Sequence, residues 1–145
     1  MKNRISKFAF VMLAATAGLV FASCNKQPAK AKDVTYKFFS MTIPPTTYNI
    51  GDEYYGVILS EDYETLVLKA NGSFEDTQRV AGVSTESYDF YTGTWTHTGA
   101  NYMLHYETLN GSPLETPEDT PYTIQNGVAT TSDDEFGFVT VLHKA

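Results

Sequence analysis

Cysteine is nearly absent from this chain: one in 145 residues, Cys24. That excludes an intrachain disulfide and a thiolate metal cluster, each of which needs more than one sulfur. Bases are scarce as well. From Phe38 onward only Lys69, Arg79 and Lys144 are basic, and the whole chain carries a formal net charge of −7. Clustered Lys and Arg are what neutralise a phosphate backbone, so no nucleic-acid partner is expected. There is no Gly-x-Gly-x-x-Gly, no phosphate loop and no Gly-x-Ser-x-Gly elbow, the motifs that would announce nucleotide binding or a serine hydrolase. No enzymatic activity and no cofactor are expected. Beyond Cys24 no segment shows capped helical spacing, and no internal repeat is present.

A single long uncharged apolar run stands at the start. Lys2, Arg4 and Lys7 precede it without an acid, and Phe8 to Ala22 carries no charge. A basic start, a short apolar stretch and small residues before a cleavage point mark a secretory signal peptide. The run is shorter than the roughly 20 residues of a permanent membrane-spanning helix. Phe21-Ala22-Ser23-Cys24 resembles the bacterial lipobox, with Phe21 where Leu is usual. The resemblance implies cleavage after residue 23 and Cys24 as the lipid attachment site. The expected division is signal peptide at 1–23, lipidated Cys24 and flexible tether at 24–33, and one domain at 34–145. Residues 25–32, Asn-Lys-Gln-Pro-Ala-Lys-Ala-Lys, lack apolar periodicity, as a tether should. Several acyl chains anchor stably, because each buried methylene contributes about 0.8 kcal/mol. Asn25 is not the Asp that marks inner-membrane retention, and the acidic cluster of surface-displayed lipoproteins is missing. By that resemblance the place is the outer membrane, facing the periplasm. Cleavage removes three bases and no acid, which takes the net charge of −7 to −10.

Composition then points to strands. Ten Tyr, nine Phe and many β-branched residues favour a pleated, half-buried surface. Alternating or apolar runs bounded by Gly, Asn, Asp and Pro recur at short spacing, which predicts an antiparallel β domain. The strands predicted are Val34–Met41, Tyr54–Leu59, Tyr63–Lys69, Ser73–Val80, Tyr88–His97, Tyr102–Thr108, Tyr122–Ile124, Val128–Thr131 and Phe136–His143, with Pro44 and Pro45 ending the first.

Turn chemistry sets register, and register sets burial. At Asn71-Gly72 a three-residue loop with Gly72 left-handed puts Leu68 opposite Phe74, where a two-residue turn would face Leu68 with Glu75. The three-residue loop aligns Leu66, Leu68 and Phe74 on one face. The same logic at Asn126-Gly127 pairs Ile124 with Val128. Gly99-Ala100 suits a two-residue type II′ turn, which sets His97 opposite Tyr102, Trp95 opposite Leu104 and Gly93 opposite Tyr106. Trp95 with Leu104 is the expected centre of the core, and Trp95→Ala is expected to cost about 3–5 kcal/mol.

Tyr54-Tyr55-Gly56-Val57-Ile58-Leu59, Glu64-Thr65-Leu66-Val67-Leu68, Asn71-Gly72-Ser73-Phe74 and Gly93-Thr94-Trp95 together resemble the N-terminal domain of NlpE-type copper-resistance and envelope-stress lipoproteins, and the wider group of lipocalin-like bacterial lipoproteins. Residues 54–143 follow that order without a large gap. The resemblance implies an all-β fold, a small antiparallel meander β-barrel, lipocalin-like, with a core or a ligand cavity inside. The copper-resistance type carries Cys-x-x-Cys where this chain has Ser60-Glu61-Asp62-Tyr63, so thiol-based copper binding does not carry over.

Side-chain chemistry adds little beyond this. The register puts His97 and His105 on opposite faces, so they cannot share an ion, and no metal site is expected. Acidic pairs at Asp52-Glu53, Glu61-Asp62, Glu118-Asp119 and Asp133-Asp134-Glu135 lack the order of a calcium loop and read as solvated loops. Tyr54, Tyr55, Tyr63, Tyr88 and Tyr91 are the candidate ligand-binding residues, since a phenol offers apolar area with one polar tip. The expected function is a membrane-anchored, non-catalytic module that binds a small apolar ligand or an envelope protein; the alternative is a structural or envelope-stress interaction module with a filled core.

Overall fold

A computed structural model describes residues 31–133 and 135–145; the signal segment, Cys24 and the first part of the tether lie outside the described residues. Among the described residues the strands in chain order are β1 (Val34–Ile43), β2 (Thr46–Asn49), β3 (Glu53–Tyr54), β4 (Val57–Ile58), β5 (Glu64–Leu68), β6 (Ser73–Arg79), β7 (Tyr88–Thr98), β8 (Asn101–Leu109), β9 (Ser112–Gln125), β10 (Val128–Asp133) and β11 (Phe138–Lys144), with a 3-10 turn at Glu61–Tyr63. From β5 to β11 each strand pairs antiparallel with the next, β1 joins β5, and β11 returns to β1. The protein is an all-β, eight-stranded antiparallel meander barrel of lipocalin-like, up-and-down type. Closure pairs each barrel strand on both sides except along the first part of β9, which bonds only to β8. β2 hairpins back along the second half of β1, and β3 with β4 form a separate two-stranded ribbon beside it.

Two of the three turns follow the expected register. Leu68 faces Phe74 with Gly72 at φ 87°, and Trp95 faces Leu104 with Gly99 at φ 61°. The third differs. Asn126 and Gly127 both adopt positive φ, 54° and 79°, so the loop has two residues and Val128 faces Gln125, not Ile124. That conformation matches the right-handed twist of the flanking strands, and Asn-Gly accommodates it with little strain. Ile124 therefore faces Ala129, and both turn inward.

Two expected elements are corrected and one is new. Tyr54–Leu59 is not one strand: Tyr55 and Gly56, at φ 44° and 79°, turn the chain between β3 and β4. β2 was not foreseen. β9 begins at Ser112, well before the expected Tyr122, although it contains Pro113, Pro117 and Pro121. Proline is tolerated there because β9 bonds only to β8 over that stretch and meets β10 only from Tyr122 onward, so one strand edge needs no donor.

Inward-facing residues change character along the barrel. At the end formed by the turns at 69–72, 99–100 and 126–127 they are apolar; away from it they become polar. On β5 Leu68 and Leu66 are followed by Glu64; on β6 Phe74 is followed by Asp76 and Gln78. Leu104 gives way to Tyr106 on β8, Ala129 to Thr131 on β10, and Leu142 to Thr140 on β11. Leu66, Phe74, Leu104 and Leu142 are at most 1% exposed and fill the apolar half; Phe38, which packs on Tyr63, and Leu59, in the connection leading to Glu64, are equally buried. Val34, where β1 starts, pairs with Leu68 at this filled end. Leu66, Leu68, Phe74 and Leu104 are thus core residues. Trp95 is not the centre: it is half-buried and packs against the cluster near the tight-turn end. Its Nε1 donates to the Lys69 carbonyl at 3.1 Å, and an indole with a polar N–H settles where a carbonyl is within reach.

Candidate functional site

Strand alternation brings a polar group into the other half of the barrel. Glu64 has the parity of Leu66, and Asp76 the parity of Phe74, so each carboxyl points into the lumen instead of into water. Glu64 is 7% exposed and Asp76 is fully buried. The side-chain oxygen Asp76 Oδ2 accepts hydrogen bonds from Gln78 Nε2 at 2.7 Å and from the Tyr106 hydroxyl at 2.9 Å. Oδ1 has no partner. The Tyr122 hydroxyl stands beside the Glu64 carboxyl, and the Tyr106 and Tyr122 hydroxyls neighbour each other.

Burial dominates the electrostatics. Loss of hydration, which penalises a charged carboxylate, raises Glu64 well above the ordinary value; the charge of Asp76 raises it further, and the Tyr122 hydroxyl offsets part of this. Asp76 is raised to about 6 by burial, against the bonds from Gln78 and Tyr106 that favour its ionised form. Burial also raises Tyr106 and Tyr122, so both stay protonated donors. Among the described residues the salt-bridged bases Lys37, Lys69 and Arg79 pair elsewhere, with Asp62, Glu75 and Glu86.

Beside this group the lumen is open. A cavity of about 390 Å³ is walled by inward residues of every barrel strand except β1, among them Glu64, Gln78, Tyr91, Tyr106, Glu118 and Tyr122. Among the described residues no Lys, Arg or His lines it. Asp76 stands one layer behind the wall, bonded to Gln78 and Tyr106, which do line it. The barrel also opens sideways. β9 and β10 stop pairing beyond Tyr122 and Thr131. A second cavity of about 380 Å³ lies there, sharing Thr120, Thr131 and Thr140 with the first.

The five candidate tyrosines do not converge. Tyr91 lines the lumen cavity and meets Tyr106 edge-on at 5.6 Å between centroids. Tyr63 packs edge-on against Phe38 at 5.0 Å. Tyr54 and Tyr55 form a shallow depression of about 220 Å³ with Ile43, Tyr48 and Glu53, and Tyr55 is 73% exposed. Tyr88 is exposed and donates to Glu86 at 2.5 Å. His105 faces outward to Asp119 at 2.5 Å, and His97 stacks on Tyr102 at 4.8 Å, so the two lie on opposite faces. Among the described residues no cluster of His, Cys, Asp and Glu is arranged to hold a metal ion.

Sequence reasoning overlooked Glu64, Asp76, Tyr106 and Tyr122. The signal was available: once Leu66, Leu68 and Phe74 share a face, the period of two puts Glu64 and Asp76 on it. Comparison with family models, curated proteins and solved structures yields no match for the chain.

Proposed function

We propose that this protein is a membrane-tethered, non-catalytic lipoprotein of the bacterial cell envelope whose lipocalin-like barrel holds a small ligand in its open half. The observation that carries the reading is the 390 Å³ lumen cavity, within the 300–1,000 Å³ usual for small-molecule sites and walled by strands from around the barrel. Sites on strands are held more rigidly than sites on loops. The resemblance to NlpE-type and lipocalin-like lipoproteins and the lipobox at Phe21–Cys24 support the address: an outer-membrane anchor through lipidated Cys24, with the domain on the periplasmic side. A wholly apolar ligand suits the site less well than an amphipathic one, since the apolar half is already filled by side chains.

Catalysis is not part of the proposal. Of the two buried acids only Glu64 borders the cavity, and the other carboxyl on its wall, Glu118, is exposed, so the proposal assigns the pair no acid–base role. The filled half favours one second reading, an interaction module of structural or envelope-stress type with no ligand. Saturation-transfer NMR on the full chain, with a fragment panel spanning apolar, hydroxylated, anionic and cationic compounds, separates the two. Binding that perturbs tyrosine ring signals of the lumen is expected. No binding from any class would leave the interaction module as the better reading.

A further inference from the structure

The open half of the lumen has an uncompensated sign. Glu64 borders the cavity while only 7% exposed, Glu118 borders it from the rim, and the buried Asp76 keeps Oδ1 without a partner immediately behind the wall. Among the described residues no base lines the cavity with them. Carboxyl groups taken out of water are stabilised by an opposite charge within hydrogen-bond reach, and the described residues that line the cavity supply none. The rest of the lining discriminates further. Tyr91 and Tyr106 bring aromatic rings to the wall, and a ring attracts a cation set over its face through its quadrupole; Leu109 and Leu114 offer an apolar flank.

We infer that the cavity binds an organic ammonium: a compact primary or secondary amine with a small apolar body, its cation against Glu64 and its body against Tyr91 and Leu114. The inference rests on the ligand-binding reading above and names the chemical class of its ligand. An anion would meet two carboxyls and no donor of positive charge. A neutral apolar guest would strip water from Glu64 and return nothing. A bare metal ion would find Glu64 and Glu118 in reach but Asp76 screened behind Gln78 and Tyr106. An ammonium takes the hydrogen bonds, the charge and the ring contacts together.

Binding should also be linked to protons. The titratable groups around Glu64 and its cavity are Tyr63 from the 3-10 turn, Asp76 from β6, Tyr91 from β7, Tyr106 from β8, and Glu118 and Tyr122 from β9; all are acids, so no base among them competes with the guest for Glu64. Burial and the neighbouring Asp76 hold Glu64 protonated beyond the usual carboxylate range. A cation that needs Glu64 ionised must displace that proton, so it binds more tightly as pH rises from 5 to 8.

Titration calorimetry of the full chain with benzylamine, benzyl alcohol and benzoate tests this, the three probes sharing a ring and differing in charge. Benzylamine is expected to bind at least tenfold more tightly than benzyl alcohol, with benzoate undetectable and with benzylamine affinity increasing from pH 5 to 8. Glu64→Gln keeps the shape and removes the charge; it should lower benzylamine affinity at least tenfold and leave benzyl alcohol unchanged. Should that variant not fold, the comparison of the three probes on the unaltered chain decides alone. Equal binding of benzylamine and benzyl alcohol, flat pH dependence, or undiminished benzylamine binding in Glu64→Gln would overturn the inference while leaving a ligand cavity in place. Failure of all three probes would overturn the inference too, and the wider fragment panel then judges the cavity itself.

Discussion

Replacing Asp76 by Asn is expected to alter how the stability of the barrel depends on pH. The Asp76 carboxyl is raised from 3.8 to about 6 on folding, chiefly by burial. A shift of about two units corresponds to about 3 kcal/mol between the two protonation states. Because the folded value lies above the unfolded one, the folded protein keeps a proton that the unfolded chain gives up. The contribution of this group is fully present below about pH 4 and is lost as pH rises through about 6. The Asp76→Asn variant carries no such proton. Its amide oxygen still accepts from Gln78 and Tyr106, while its amide nitrogen places a donor where Oδ1 had no partner, an offset that does not vary with pH. The difference in stability, variant minus unaltered chain, should therefore move in favour of Asp76→Asn by about 2–3 kcal/mol between pH 3.5 and 7.5. Repulsion among the many surface acids varies with pH as well, but is common to both proteins and cancels in the difference. Urea unfolding of the two full chains across that range, followed by the fluorescence of the single Trp95, measures it. Stability curves that stay parallel within about 0.5 kcal/mol would refute the buried-carboxyl reasoning.

Other expectations follow from packing and from the address. A Cβ on Gly93 would stand 1.9 Å from the His105 carbonyl oxygen and 2.8 Å from Phe74 Cε1, so Gly93→Ala should destabilise by about 3 kcal/mol or more. A thermal melt unchanged from the parent would contradict that close approach. Leu104→Ala, at a fully buried site, should cost about 3–4 kcal/mol, and Trp95→Ala, at the half-buried barrel end, about 2 kcal/mol. Denaturant melts giving the reverse ranking would restore Trp95 to the centre of the core. Mass spectrometry of the envelope-extracted protein should find Cys24 at the amino terminus with acyl chains attached; an unprocessed or acyl-free terminus would remove the membrane anchor.

Tight turns were where sequence reasoning succeeded. Asn71-Gly72 and Gly99-Ala100 each have one loop length that gives an acceptable pairing, so Leu68 against Phe74 and Trp95 against Leu104 could be read directly. Asn126-Gly127 misled because Ile124 is a plausible inward residue against either Val128 or Ala129, and only the left-handed conformation of both turn residues selects Ala129. The first half of β9 was hidden by its prolines and acids, which argue against a central strand but not against one paired on a single side.

By itself the sequence determined the all-β class, the lack of paired thiols and of phosphate-binding motifs, and most of the inward-facing parity, because these depend on local composition and a period of two. The proposed address peptide rests on the sequence alone. Only the tertiary structure decided that the barrel closes, that one half is filled and the other open, and that Glu64 and Asp76 are buried as neighbours without a base. A strand's pattern shows which residues turn inward, but whether an inward acid meets water, a base or another acid depends on the strands that face it across the lumen.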